Sequence, residues 1–229
     1  MTAFKESFYT NFIVEDRWKH ITNGLGTTLS VTFFALILGV ILGLLVAMVR
    51  STYDKTGKLK LLDKVCKVYI TVIRGTPMMI QLLIIYYVIF VGVLTIPSTL
   101  AAIIGFGFNS GAYVAEIFRS GIMSVDGGQF EAGRSLGFTY RQTMRYIIMP
   151  QALKNVLPAL GNEFIVLLKE TSIAGLIALR DLTKGAEIIR SRTWAAMPLF
   201  AVALIYLVLV MIFTQLVSML ERRLRNSEH

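Results

Sequence analysis

Apolar residues arrive along this chain in long blocks separated by short polar stretches, not in the alternation of half-buried strands. A bilayer core about 30 Å thick needs roughly 20 mostly apolar helical residues to cross it. Residues 27–49 supply the cleanest such run. The next, 68–95, is interrupted by Arg74, Gly75 and Pro77, so its first turns are expected at the interface or inside the protein, with residues 78–93 crossing lipid. After a turn at Pro97, residues 99–122 form a third block carrying Asn109, Ser110 and Glu116. A fourth covers 156–179 and holds Glu163, Lys169 and Glu170, and a fifth, 197–220, carries no charge. The pattern predicts an all-α integral membrane protein with five transmembrane helices.

Basic residues between the blocks predict orientation. Arg50, Lys55, Lys58, Lys60, Lys64 and Lys67 follow the first block, Arg222, Arg223 and Arg225 follow the fifth, and Arg119, Arg134, Arg141, Arg145 and Lys154 flank the third and fourth. Positive loops stay cytoplasmic, which puts the N-terminus outside and the C-terminus inside. The turn at 93–99 has no charge. Residues 180–194, outside on this count, nearly balance Arg180, Lys184, Arg190 and Arg192 against Asp181 and Glu187, and read as an external helix available to a partner.

Composition agrees: 55% of the 229 residues are hydrophobic and 16% charged, against about a quarter charged in soluble domains. The formal charge of +9 is spent on loops, so no nucleic acid is expected as a partner. Cys66 is the only cysteine, and His20 and His229 lie near opposite ends, which supports neither a disulfide, a metal site nor a Cys/His nucleophile. Residues 1–23, with Phe4, Phe8, Phe12 and Trp18 among charges, form either an interfacial helix or a frayed polar tail. They lack the apolar centre of a cleavable signal. The expected division is 1–23 as an external or interfacial segment, 24–222 as the transmembrane domain and 223–229 as a cytoplasmic tail.

The segment 126–150 is too polar to cross lipid and too regular for a linker. Asp126 with Gln129, and Thr139 with Gln142, have capping-box spacing. Gly137 permits a left-handed turn between two short helices, and Pro150 ends or kinks the second. By itself this is either an amphipathic loop or a coupling device. Glu131, Ala132, Gly133, Gly137, Ile147 and Pro150, however, have the spacing of the EAA motif, glutamate-alanine-alanine, glycine, then isoleucine-x-leucine-proline, with Gly133 and Met149 as small or apolar departures. VIRGTPMMIQLL at 72–83, NSGAYVAEIFRSG at 109–121 and LPALGNEFIVLLKETS at 157–172 extend the likeness over nearly the whole chain from the first block onward. The chain resembles the polar amino-acid permeases of binding-protein-dependent ABC importers.

The resemblance implies a type I ABC importer permease in a bacterial-type cell membrane, multi-pass, whose segment 126–150 is a cytoplasmic coupling helix between spans three and four. It implies as partners a pair of ATP-binding subunits docking that segment, a second permease, identical or homologous, an external amino-acid-binding protein, and an amino-acid substrate. The chain has no G-x-x-x-x-G-K-[ST] phosphate loop. It is therefore expected to be no enzyme and to bind no cofactor, with ATP and Mg held on the partner ATPase.

A charge at mid-membrane costs roughly 2.5–3.5 kcal/mol and usually faces a partner or a wet cavity. Glu163, after Pro158 and Gly161, is the expected acceptor for an amino acid's ammonium or cationic side chain, with Asn162 and Gln81 as neutral partners. The alternative is an internal pair between Glu163 and Arg74 or Lys169. Arg74 and Glu116 read as snorkelling residues. Two further readings of the chain stay open. A gradient-driven transporter would also use a buried Glu163 but needs no coupling loop, and a scaffold would anchor a partner without transport.

Overall fold

A computed structural model describes residues 2–91 and 96–226, and no strand occurs among them. The end of the second apolar block, the first part of the 93–99 turn, and residues 227–229 of the tail lie outside the described residues.

Three helices are long and apolar enough to cross a membrane. They are α2 (Trp18–Thr56), α5 (Ser98–Met123) and α10 (Met197–Asn226). The 39 residues of α2 span about 58 Å at 1.5 Å per residue, so the helix runs well past the apolar block at both ends. Gly57, at φ +66, ends it by donating its N–H to the Tyr53 carbonyl at 2.8 Å. A fourth candidate is broken. α3 (Lys60–Gly75) and α4 (Met78–Leu83, continued as π-helix over Ile84–Phe90) meet at a bend of 111°. Pro77 causes the break, because it donates no N–H and forces Thr76 into the extended region, at φ −123° and ψ 148°.

α8 (Met149–Glu170) passes into a 3-10 stretch, Thr171–Ile177. It carries Lys154, Glu163, Lys169 and Glu170, so composition alone does not mark it as a span. Pro158 and Gly161 do not interrupt it. At Gly161 a Cβ would lie 2.6 Å from Val217 Cγ2, so that glycine admits α10 instead of loosening the backbone.

α5 is the central helix: 61% of its apolar window is buried, against 28% for α2 and 6% for α10. Small residues bring α2 against it. A Cβ at Gly39 would lie 2.8 Å from Ser110 Cβ, one at Gly43 2.5 Å from Val114 Cγ1, and one at Gly107 2.7 Å from Leu38 Cδ2. These small residues let the two helices approach closely within one subunit. The order of these contacts makes α2 parallel to α5. Ser110 meets Glu163, Gly121 meets Val156 and Ser124 meets Asn155, so α8 is antiparallel to α5. Phe213 packs on Phe164 and Val217 on Gly161, so α10 is antiparallel to α8. The C-terminal ends of α2, α5 and α10 therefore share one end of the molecule with segment 126–150.

The opposite end holds α1 (Thr2–Phe8), the turns through Asp16, and α9 (Leu182–Thr193). Phe12, Ile21, Leu182, Ala186, Ile189 and Val202 form one buried cluster there. Buried Arg17 donates to the Thr10 carbonyl at 2.8 Å and pairs with Glu15, which also meets Arg192. Residues 9–17 are thus packed against α9, with α1 before them helical and its Phe4 and Phe8 exposed. Asp181, buried and outside the apolar blocks, caps α9 by accepting from the Thr183 and Lys184 N–H groups, each at 3.1 Å. Burial pushes its carboxyl above the usual carboxylate range against the opposing pull of those donors.

Candidate functional site

Two sites emerge, one between the helices and one at the basic end. The first is organised by α5, whose adjacent Asn109 and Ser110 point to different neighbours. Asn109 Nδ2 donates to Gln81 Oε1 at 2.9 Å, and Ser110 Oγ donates to Glu163 Oε1 at 2.7 Å. The second bond is a charge-assisted one when Glu163 is ionised, between buried partners. Glu163 pairs with neither Arg74 nor Lys169.

Glu163 and Asn162 line a cavity of about 540 Å³ with Arg74, Tyr113 and Glu116. Arg74 reaches it from the end of α3, which is held on α5 by the Tyr69 hydroxyl donating to the Phe108 carbonyl, and its guanidinium carbon lies 5.3 Å from the Tyr113 ring centroid. Arg74 makes no ion pair with any described carboxylate. Glu116 is already engaged by Arg119, with Arg50 at 3.8 Å. One cavity thus offers an acidic acceptor, a cationic donor and an aromatic face. That combination suits a zwitterion. Arg74 is exposed as well as lining this cavity, which is compatible with a snorkelling side chain.

Gln81 sits elsewhere, in a separate and mostly apolar cavity. Its Nε2 donates to the Ile73 carbonyl at 2.8 Å and to the Thr76 carbonyl and Oγ1 at 3.0 and 2.8 Å. These are acceptors left by the end of α3. With Oε1 taken by Asn109, the amide is a staple across the helix break, joined to Glu163 only through the adjacent Asn109 and Ser110.

The second site is segment 126–150. Asp126 Oδ1 accepts from the Gly128 N–H at 2.7 Å and caps α6 (Gly127–Ser135), while Gln129 Oε1 accepts from Gln151 Nε2 at 3.5 Å instead of closing a box. Gly137 takes φ +83. Thr139 and Gln142 form a complete capping box on α7 (Tyr140–Thr143). Residues continue as π-helix through Met144–Ile148 into α8, so Pro150 does not end the second helix; it falls directly after the wider π turn, within a continuous helical run. α6 folds back on this run so closely that a Cβ at Gly133 would lie 2.7 Å from Thr143 Cγ2 and 2.9 Å from Ile147 Cδ1. Glycine in place of the motif's alanine is what this approach demands. Glu131, Ala132 and Pro150 are exposed and Ile147 half-buried. Leu136 is 74% exposed and Tyr146 62%, a large apolar presentation on a polar segment.

Comparisons with known proteins agree with this architecture. The family described as "Binding-protein-dependent transport system inner membrane component" matches residues 35–226. The probable amino-acid ABC transporter permease protein YckA of Bacillus subtilis is 37% identical over 218 residues, covering 94% of this chain and 93% of that protein. The L-cystine transport system permease protein TcyB of the same organism is 34% identical, covering 93% and 90%. A solved amino acid ABC transporter with histidines superposes with a TM-score of 0.84 at 46% identity, covering 93% of this chain and 98% of that one. With the match spanning the helices and segment 126–150 alike, the chain belongs to the family of binding-protein-dependent transport system inner-membrane components.

Proposed function

We propose that this chain is the permease subunit of an ABC importer that carries polar amino acids by alternating access, with five spans, the N-terminus outside and the C-terminus cytoplasmic. α8 with its 3-10 extension is the fourth span. The broken α3–α4 unit is the second, and the limb after Pro77, with Met79, Ile80, Ile84 and Val88 exposed, is the part that crosses the lipid. The cavity holding Glu163, Asn162, Arg74 and Tyr113 is the observation that carries the proposal. An acidic and a basic side chain line one cavity with no ion pair between them. An amino acid brings the missing ammonium to Glu163 and the missing carboxylate to Arg74, with Asn162 as a neutral partner. Gln81 acts behind this site by holding the helix break that aims Arg74.

Relatives named for L-cystine and for amino acids at large share what every such substrate has, the ammonium and carboxylate. Side-chain choice then rests with an external binding protein docking near α9. A second permease, identical or homologous, completes the path beside the first. Two ATP-binding subunits seat on Glu131, Ala132, Gly133, Gly137, Ile147 and Pro150 of the coupling segment, hold ATP and Mg, and bias a two-state gate.

Uptake by the reconstituted complex tests the site. Glu163→Gln keeps an acceptor for Ser110 but removes the charge, and is expected to weaken transport at least tenfold while leaving assembly intact. Unchanged affinity and rate for every amino acid would remove Glu163 from the site. Uptake that survives ATP depletion under an ion gradient would favour a gradient-driven transporter, and absence of solute-stimulated ATPase activity would favour a scaffold.

A further inference from the structure

A second cavity, of about 580 Å³, opens at the basic end, where α2 and α5 meet the coupling segment. Its walls are of two kinds. Leu44, Met48, Phe118 and Met149 make an apolar floor, while Arg141, Arg145 and Ser51 stand at the polar side, and no Asp or Glu lines it. The two arginines are four residues apart and so share a helical face. Neither pairs with a carboxylate among the described residues; the Arg145 guanidinium carbon lies only over its neighbour's ring, 5.8 Å from the Tyr146 centroid.

The apolar floor continues upward. Phe34, Ile37, Ile41, Leu45 and Met48 are all exposed on α2 at the three- and four-residue spacing of a single helix face. From residue 34 to 48 that stripe is about 21 Å long, longer than one leaflet's share, about 15 Å, of the hydrocarbon core. Its lower end opens into the cavity. An apolar track ending at two uncompensated cations is complementary to an anion attached to a long apolar chain. A water-soluble anion would use the cations and leave the track unexplained.

We propose that this cavity binds an anionic phospholipid of the cytoplasmic leaflet, its phosphate on Arg141 and Arg145 and an acyl chain along the α2 stripe. The proposal rests on the orientation given above. Because both arginines belong to the coupling segment, the bound lipid ties that segment to α2 and makes the lipid's headgroup charge part of its support.

The complex, purified through a tag on this chain, is placed in phosphatidylcholine nanodiscs doped with a photoactivatable phosphatidylglycerol, and the adducts are mapped by mass spectrometry. The expected adducts fall on residues 44–52 and 140–149 and are displaced by unlabelled phosphatidylglycerol, but not by phosphatidylcholine or inorganic phosphate. Arg141→Gln with Arg145→Gln should reduce labelling on the order of tenfold, whereas the double lysine variant should retain most of it. Labelling spread evenly over the lipid-facing helices, equal labelling by a phosphatidylcholine probe, or displacement by free phosphate would overturn the site. Unchanged labelling with loss of co-purified ATPase would do the same and assign the arginines to the motor. Should the glutamine variant not fold, the competition on the wild-type complex decides. Failed labelling in a complex that still performs ATP-driven uptake sinks the lipid site alone, whereas loss of ATP dependence sinks the transport reading.

Discussion

Gln81 is the residue on which the geometry of the cavity turns, although it does not line it. Its amide takes up the Ile73 and Thr76 acceptors and receives Asn109, so Gln81→Leu strands two buried polar groups at once, the Ile73 carbonyl and the Asn109 amide. Each costs about 1–3 kcal/mol when left unpaired. The expected result is a marked fall in thermal stability of the detergent-purified protein, together with weakened uptake because Arg74 loses its aim. A variant with unchanged melting temperature and reduced uptake would instead make Gln81 a direct ligand. At this scale the sequence was legible only in part. Glu163 stood out because a lone carboxylate in an apolar block demands an explanation. Gln81 reads from the sequence as a neutral substrate partner and Arg74 as a snorkelling residue or a pair for Glu163, whereas the hydrogen bonds Gln81 makes across the 111° bend need a chain direction after Pro77 that no local pattern encodes.

Among the elements, the α2–α5 pair governs packing, and its glycines separate into those that admit a neighbour and those that do not. A Cβ on Gly43 would meet Val114 Cγ1 at 2.5 Å and the Ala115 backbone nitrogen at 2.8 Å, so the helices must part. Gly43→Ala is expected to destabilise by about 1–3 kcal/mol, as overpacking does. Gly26 lies in the same helix with nothing within 4 Å, and Gly26→Ala should be neutral or stabilising by up to about 1 kcal/mol. Thermal unfolding of the two variants side by side checks the contrast; equal effects would mean that helix propensity and not close approach sets the cost. The long apolar runs made α2, α5 and α10 visible in advance. Their pairing was not, because Gly39 and Gly43 are equally suited to an internal neighbour and to a second subunit until the facing helix is known.

For the whole molecule, the parallel and antiparallel directions of α2, α5, α8 and α10 gather basic residues and segment 126–150 at one end and the packed N-terminal segment with α9 at the other. The cavity with Glu163 and Arg74 is lined from Tyr113 to Ser124 and Asn155 and includes none of residues 126–150, so on the proposed function carrying a solute and receiving force fall on different residues of a shared frame. That separation predicts two distinguishable defects. Leu136, 74% exposed beside the Gly137 turn, touches little within this chain, so Leu136→Asp should leave folding and membrane insertion unchanged while burying a charge in any partner's groove, at a cost of several kcal/mol. The expected outcome is loss of the co-purifying ATPase with an unaltered melting temperature for the permease. Glu163→Gln should behave in the opposite way, retaining the ATPase but losing uptake. Copurification and uptake measured on both variants check this directly, and an ATPase that stays bound to Leu136→Asp would move the docking surface away from the exposed apolar face of the segment.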